Sequence, residues 1–374
     1  MKDLITSLND FFMVSGIYSM HWGSFLMITI ACILLFLAIS KGFEPLLLIP
    51  IGFGMLLSNL PNSSVFSEGG LINFFYSGVK LGIFPPLIFM GIGALTDFSP
   101  LISNPKTILL GAAAQFGIFT TLLGSLYLGF NLHQSAAIGI IGGADGPTAI
   151  YTASKLAPEL IGPIAVAAYS YMALVPVIQP PIIKALTTKE ERSRVMEPPP
   201  PTTQKILILF PIITTIFTGL LLPSAIPLIG MLMLGNLFRE SRIVERLVKT
   251  TENSLLNMVT IFLGVSIGAS MTSESFLKWE TIGILLLGLF AFAVGTATGV
   301  IFGKLMAYFS KTPINPMIGA AGVSAVPMSA RVVQKIGLEE NPKNFLLMHA
   351  MGPNVAGVIG SAITAGLLIS LIQN

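Results

Sequence analysis

Apolar stretches separated by short polar joints run the length of this chain, and each can be measured against the about 20 residues a helix needs to cross a bilayer. Residues 24–40, read with their flanks, form one such stretch, and 43–60 form a second, interrupted by Pro50 and Gly52. A short third, 81–96, is broken at Pro85 and Pro86. Residues 107–130 predict an unbroken helix, 134–156 a Gly-rich broken one, and 160–183 a span that ends in Pro180 and Pro181. The pattern resumes at 206–222, 223–238, 254–271 and 281–303, then at 312–330, which is broken, and at 344–371. This predicts an all-α polytopic membrane protein with about 10–11 transmembrane segments.

Composition agrees. Of 374 residues, 53% are hydrophobic and 10% charged, against about 25% charged in soluble domains; mean hydropathy is +0.84. A soluble enzyme is excluded. The net charge of +3 says little about partners, because the signs are segregated by loop. No basic cluster interleaved with aromatics points to nucleic acid. Cys32 is the single cysteine, and His21, His133 and His349 are far apart, so neither a disulfide framework nor a zinc or haem site is expected. Residues 1–10 hold one Lys and two Asp, without a short apolar core followed by a small-residue cleavage site, so the first helix is expected to be retained.

One segment breaks the apolar pattern. Residues 184–205 contain Lys189, Glu190, Glu191, Arg192, Arg194, Glu197 and four consecutive prolines, 198–201. This reads as a solvated linker with a stiff polyproline stretch. It divides the chain into a first membrane repeat with accessory N-terminal helices (1–183), a Pro-rich linker (184–205) and a second membrane repeat (206–374). A second basic stretch holds Arg239, Arg242, Arg246 and Lys249, two spans further on. Both basic stretches therefore fall on one side, which the positive-inside bias makes cytoplasmic.

The halves match at a nearly constant offset. Ile92-Gly93-Ala94 pairs with Ile267-Gly268-Ala269, Gly139 and Gly142 with Gly319 and Gly322, and Pro147 with Pro327. On this frame Asp145 faces Ala325, and Tyr171 falls near Asn354. Gly/Pro-broken segments at corresponding places in two halves point to a transporter site at mid-membrane. The span count per half favours an inverted relation between the repeats.

Asp145 is the sharpest chemical signal. Residues 107–144 before it carry no charge apart from His133 if that is protonated, and Gly146 and Pro147 follow it. A carboxylate inside lipid is costly unless it binds a cation, a proton or a partner. Around it stand Tyr171, then Asn315, Gly319 and Ser324 in the second break, Arg331 after it, and Asn354. A hard alkali cation wants oxygen donors, which carboxylate, amide, hydroxyl and freed helix carbonyls supply; one carboxylate neutralises one Na⁺, and a proton can take its place. Each residue also has a plainer reading. Asp145 is also suited to capping a helix that starts at Pro147, Asn315 to a turn before Pro316, and Gly319 and Ser324 to close helix packing. Tyr171 is equally an ordinary packed aromatic, Arg331 a snorkelling cation, and Asn354 a partner for backbone freed near Pro353. No Walker A motif is present, and no Ala-Met-Lys-Met biotinylation motif.

Five longer motifs in order carry a resemblance that covers nearly the whole chain. They are Phe-Glu-Pro-Leu-Leu-Leu-Ile-Pro-Ile-Gly-Phe-Gly (43–54), Gly-Gly-Ala-Asp-Gly-Pro-Thr-Ala-Ile-Tyr (142–151), Ala-Tyr-Ser-Tyr-Met-Ala-Leu-Val-Pro (168–176), Gly-Val-Ser-Ala-Val-Pro-Met (322–328) and His-Ala-Met-Gly-Pro-Asn-Val-Ala-Gly (349–357). With them the chain resembles the beta subunit of the sodium-ion-translocating decarboxylases of oxaloacetate, glutaconyl-CoA, methylmalonyl-CoA and malonate type. The resemblance implies a multi-pass subunit of a bacterial or archaeal cytoplasmic membrane that decarboxylates carboxybiotin, exports Na⁺ and consumes a proton. It implies partners: a biotin carrier protein that supplies the carboxybiotin, a carboxyltransferase alpha subunit, a small membrane gamma or delta subunit, and further copies of the chain. It also implies roles. Asp145, Tyr171 and Arg331 act in catalysis, Arg331 holds carboxybiotin, and Asp145, Asn315, Gly319, Ser324 and Asn354 hold Na⁺. The short 62–78 segment lacks the long insertion of some oxaloacetate-type subunits, which hints at an acyl-CoA-type complex. The rival readings are a Na⁺-coupled carboxylate transporter without catalysis, and a membrane anchor that moves no ion.

Overall fold

The computed structural model describes residues 15–373 except Ile17, Phe43 and Ser64. Residues 1–10, expected to precede a retained first helix, and Phe43, the expected start of the second span, lie outside the described residues. Every regular element among the described residues is helical. The protein is an all-α polytopic membrane protein.

Among the described residues six helices are long and apolar enough to cross a bilayer, or up to eight if each of two bent pairs is one span. The other expected segments are shorter helices or broken ones. After α1 (Trp22–Lys41), helix α2 (Pro45–Asn59) has only 15 residues. Helices α3 (Leu71–Lys80) and α4 (Phe84–Leu95) meet at 75°, where Pro85 and Pro86 open α4. A short α5 (Ser99–Ser103) precedes α6 (Ile108–Ala114) and α7 (Phe116–Tyr127), which together make one span, 105–127. Helices α8 (Leu132–Gly139) and α9 (Gly146–Leu156) are too short to cross. Helix α10 (Ile161–Leu186) bends by 60° between Met172 and Leu174. Pro176 accounts for the bend, since its ring clashes with the carbonyl four residues back, that of Met172.

The linker opens with α11 (Lys189–Ser193). Then come α12 (Gln204–Leu221), the 16-residue α13 (Ile226–Ser241), α14 (Glu245–Lys249) continuing through one π turn into α15 (Leu256–Ser270), and α16 (Ser273–Phe276). The second half closes with α17 (Trp279–Phe309), α18 (Met328–Glu340) and α19 (Leu347–Gln373).

Two glycine crossings tie the halves together, and they are the same crossing with the halves exchanged. In α2 against α15, a Cβ on Gly54 would lie 2.2 Å from Val265 O, and one on Gly268 would lie 1.9 Å from Ile51 O. In α4 against α13, a Cβ on Gly93 would lie 1.9 Å from Leu232 O, and one on Gly235 would lie 1.9 Å from Met90 O. Backbone meets backbone at all four, which only glycine allows. The amides of Asn59 and Asn236 then donate to Met271 O and Thr96 O, each three residues beyond the partner glycine (2.7 and 3.2 Å). Gly93 and Gly268 are the glycines matched between the halves in the sequence.

The remaining helices surround two hairpins. The first, α8–α9, has its base at the N-terminal end of α10, where Gln373 at the far end of α19 donates to Lys155 O (3.0 Å). The second runs from α17 through a 3₁₀ segment, Pro316–Gly322, and back along α18. Its base meets the C-terminal end of α10: Lys304 donates to Leu186 O (2.9 Å), and Lys184 pairs with Glu339 (3.6 Å). The hairpins thus enter from opposite ends of α10. The eight residues of α8 reach about 12 Å at 1.5 Å per residue, less than half of a hydrocarbon layer about 30 Å thick.

Candidate functional site

The first tip is built by a change of hand. After α8 the chain tightens into a 3₁₀ turn, Ile140–Gly143, and Ala144 takes a left-handed conformation (φ 56°). Asp145 returns to extended backbone and caps α9: its Oδ1 accepts the Thr148 N–H at 3.1 Å. The capping role considered for Asp145 is therefore real, and it leaves Oδ2 for another partner. Ser361 Oγ on α19 donates to Oδ2 at 2.6 Å. Asp145 is 3% exposed, and its carboxyl group rests on the positive end of a helix dipole.

The second tip approaches the first directly. The Ser324 N–H donates to Gly143 O at 3.0 Å. Asn354 on α19 holds the second tip from behind, its amide donating to Ala321 O (2.9 Å) and Val323 O (2.8 Å). Gly319 lets the 3₁₀ segment lie on α17, where a Cβ would come within 1.9 Å of Gly299 O. Gly142 does the same for the first tip, at 2.1 Å from Gly117 O.

Oxygen atoms without a hydrogen-bond partner gather around this junction. They are Ser324 Oγ, Asn354 Oδ1, the Tyr169 hydroxyl and Gln115 Oε1, all buried, while Thr148 Oγ1 stands beside the Asp145 carboxyl. Gln115 Oε1 lies where a Cβ on Gly143 would be 3.3 Å away, and the Tyr169 ring lies 2.4 Å from where a Cβ on Gly146 would be. A buried polar atom left unpaired costs about 1–3 kcal/mol, and either ordered water or a ligand that takes oxygen donors would satisfy such a collection. Among the described residues no group of three His, Cys, Asp or Glu side chains is placed to hold a metal. One carboxylate with neutral oxygens suits an alkali cation rather than a transition metal.

The sequence-derived candidates divide. Asp145, Ser324 and Asn354 come together at the tips, with Gly319 supporting the second. Asn315 sits at the start of the 3₁₀ segment, fully buried. Its Oδ1 accepts from the Met317 N–H (3.1 Å), and its amide donates to the linker carbonyls of Arg192 and Arg194 (3.0 and 2.9 Å). Tyr171 packs on α17, where it meets Gly288 and its hydroxyl donates to Leu285 O. Arg331 lies on the exposed side of the first turn of α18. Its charge opposes the upward push that burial gives the carboxyl of Glu44, in the turn between α1 and α2.

Sequence reasoning missed Tyr169, Ser361 and Gln115. Tyr169 and Tyr171 are two residues apart, so they project from opposite sides of α10, and nothing in their apolar flanks says which side faces the break. Ser361 was open to detection, because it follows Asn354 by seven residues on the same helix face. Gln115 is a carboxamide in the middle of an apolar span, which is itself a signal.

A family model described as the beta subunit of Na⁺-transporting oxaloacetate decarboxylase matches residues 23–372. The chain belongs to that family. Within this beta-subunit family it is 57% identical to glutaconyl-CoA decarboxylase subunit beta of Acidaminococcus fermentans, over 100% of this chain and 99% of the relative. It is 55% identical to methylmalonyl-CoA decarboxylase subunit beta of Propionigenium modestum, over 98% and 100%. It is 51% identical to a probable oxaloacetate decarboxylase beta chain of Vibrio cholerae, over 100% of both. The Vibrio alignment runs over 436 positions and the Acidaminococcus alignment over 372, so the oxaloacetate-type relative carries insertions that this beta-family member lacks.

Proposed function

We propose that this chain is the subunit that decarboxylates carboxybiotin and couples that reaction to Na⁺ export, with consumption of a proton. The observation that carries the reading is the Asp145 carboxylate at the junction of two opposed hairpin tips, in a member of a Na⁺-transporting decarboxylase family. Na⁺ is cargo here. Asp145, Ser324 and Asn354 supply oxygens to it, and Gly319 permits the close packing that sets the second tip. Asn315 contributes at the base of that tip. Arg331 holds the carboxylate of carboxybiotin arriving from the basic, cytoplasmic face, and Tyr171 or Asp145 delivers the proton that biotin takes up as CO₂ leaves.

The exchanged glycine crossings and the opposite entry of the hairpins support two inverted repeats, 1–183 and 206–374, joined by the 184–205 linker. Alternating exposure of the junction to the two faces follows from such a design. Moving one charge against 100 mV costs about 2.3 kcal/mol, so the decarboxylation must be tied closely to ion release. A biotin carrier, a carboxyltransferase alpha subunit and a small gamma or delta subunit complete the complex, with further copies of this chain in a bacterial or archaeal cytoplasmic membrane. The shorter alignment with acyl-CoA-type relatives supports an acyl-CoA substrate for the carboxyltransferase.

The test is reconstitution of the intact complex into liposomes with carboxylated carrier. Wild type forms a Na⁺ gradient with release of CO₂. A chain that moves Na⁺ and a carboxylate only down an imposed gradient, without CO₂ release, overturns the reading in favour of a carboxylate transporter; CO₂ release without ion movement reduces it to a scalar enzyme.

A further inference from the structure

We propose that residues 187–194 of the linker form a clasp that positions the second hairpin tip for the cation, with Arg192 as its anchoring residue. This rests on the assignment of Na⁺ to the junction of the tips. The carbonyl of Arg192 accepts two amides from opposite legs of the hairpin: Asn315 on the entering leg (3.0 Å) and Asn344 just past the returning one (2.7 Å). The neighbouring carbonyls repeat the arrangement. Arg194 O accepts from Asn315 (2.9 Å), and Ser193 O accepts from Asn341 (3.1 Å). Side chains close the ring. Arg192 Nε donates to Glu340 Oε1 at 2.7 Å, at the end of α18, and Arg194 donates to Ile314 O at 2.8 Å, just before the 3₁₀ segment. Glu191 pairs with Lys304 on α17 (3.3 Å).

These contacts use both N–H donors of Asn315 and one acceptor position of its Oδ1, which starts the 3₁₀ turn at Met317. Asn315 is thereby fixed at the base of the hairpin, and its setting reaches the tip through the 3₁₀ segment. The Arg192 and Glu340 side chains are 13% and 15% exposed, so the pair is largely withdrawn from water and its geometry is held tightly. Beyond the clasp the polyproline stretch leaves the hairpin: Pro200 O accepts from Ser103, at the end of α5 (2.8 Å). A stiff segment thus joins the clasp to the helices that carry the first half. Cation occupancy at the tips and closure of the clasp become two ends of one body.

The experiment is limited trypsin digestion of the purified full chain, in NaCl or in choline chloride at equal ionic strength. Cleavage after Lys189, Arg192 and Arg194 is quantified by mass spectrometry, and Na⁺ binding is measured in parallel by calorimetry. Where opening is fast, cleavage follows the population of the open clasp. Linkage then predicts that Na⁺ at ten times its dissociation constant slows cleavage on the order of tenfold. Asp145→Asn should abolish the difference. Arg192→Ala should raise cleavage at Lys189 and Arg194 and weaken Na⁺ binding, and Arg192→Lys should restore part of both. Should Arg192→Ala fail to fold, Glu340→Gln serves in its place, with the same expected direction. Calorimetric Na⁺ binding with unchanged cleavage overturns the clasp and leaves the functional reading standing. No Na⁺ binding to wild type overturns both.

Discussion

The two hairpins do the same geometric job with opposite chemistry. The first carries the charge: Asp145 at its tip is capped by its own helix and touched by Ser361. Its base is held lightly at the surface, by an exposed capping box of Asn131 and Gln134, a Gln134–Glu159 bond and the Gln373–Lys155 contact. The second carries no charge at its tip, only carbonyls and Ser324, held by the amide of Asn354 on α19, and its base is gripped by the linker. A charged group is oriented locally by the N–H groups and hydroxyl that it attracts. A neutral tip made of dipoles has no such guide and must be set from outside. The difference also bears on why only one half carries an acid: a second carboxylate at the buried Ala325, next to the Ser324 N–H that meets Gly143 O, would share a low-dielectric junction with the first, and the pair would repel unless one were protonated.

The comparison can be broken most completely by removing the charge. Asp145→Asn makes both tips neutral, and Na⁺-dependent decarboxylation and Na⁺ uptake by proteoliposomes should fall by on the order of 100-fold or more, as expected where a charge-assisted ligand is lost. The next largest effect is on packing. Gly319→Ala places a methyl group 1.9 Å from Gly299 O, which the backbone must relieve by moving. Thermal unfolding in detergent should show a loss of about 2–3 kcal/mol, whereas Gly230→Ala, whose nearest neighbour is Ile226 Cγ2 at 3.6 Å, should be nearly neutral. Ser361→Ala removes one bond to a charged oxygen, so the Na⁺ concentration for half-maximal activity should rise roughly tenfold, for about 1.5 kcal/mol. The smallest effect on stability separates the tyrosines. Tyr171→Phe gives up the bond to Leu285 O and should lower stability by about 1 kcal/mol, the ordinary worth of such a bond, and it slows CO₂ release where Tyr171 is the proton donor. Tyr169→Phe removes a hydroxyl that has no partner, so it should leave stability unchanged while shifting the Na⁺ requirement.

Much of this was open to reading from residues. The apolar lengths gave the helical, membrane-spanning class, and the Gly/Pro breaks gave both hairpins. The isolated acid pointed to Asp145, which lies at the junction of the two tips. Fewer helices reach full spanning length than there are apolar segments for a physical reason: a re-entrant hairpin and a crossing helix have the same apolar composition, since both are buried in the same layer. Asn315 shows a second limit. A buried amide before Pro316 looks alike whatever holds it, and only the structure shows its oxygen on the Met317 N–H and its nitrogen on the linker carbonyls of Arg192 and Arg194. The linker itself read as solvated because it is rich in Lys, Glu and Arg. Its 187–194 part is instead pinned, through backbone carbonyls that composition does not reveal. Tyr169 was hidden because helix rotation, which decides between it and Tyr171, is set by tertiary packing around the bend at Pro176.

The central claim is that one buried carboxyl group is shared in turn by sodium and by a proton. It is tested most directly by adding NaCl to the purified chain in weakly buffered, mildly acidic solution and following the pH. The account predicts that wild type releases protons as Na⁺ binds, saturating with the bound ion, and that Asp145→Asn releases none. Equal proton release from both chains, or Na⁺ binding to wild type with no proton released at any mildly acidic pH, would contradict it.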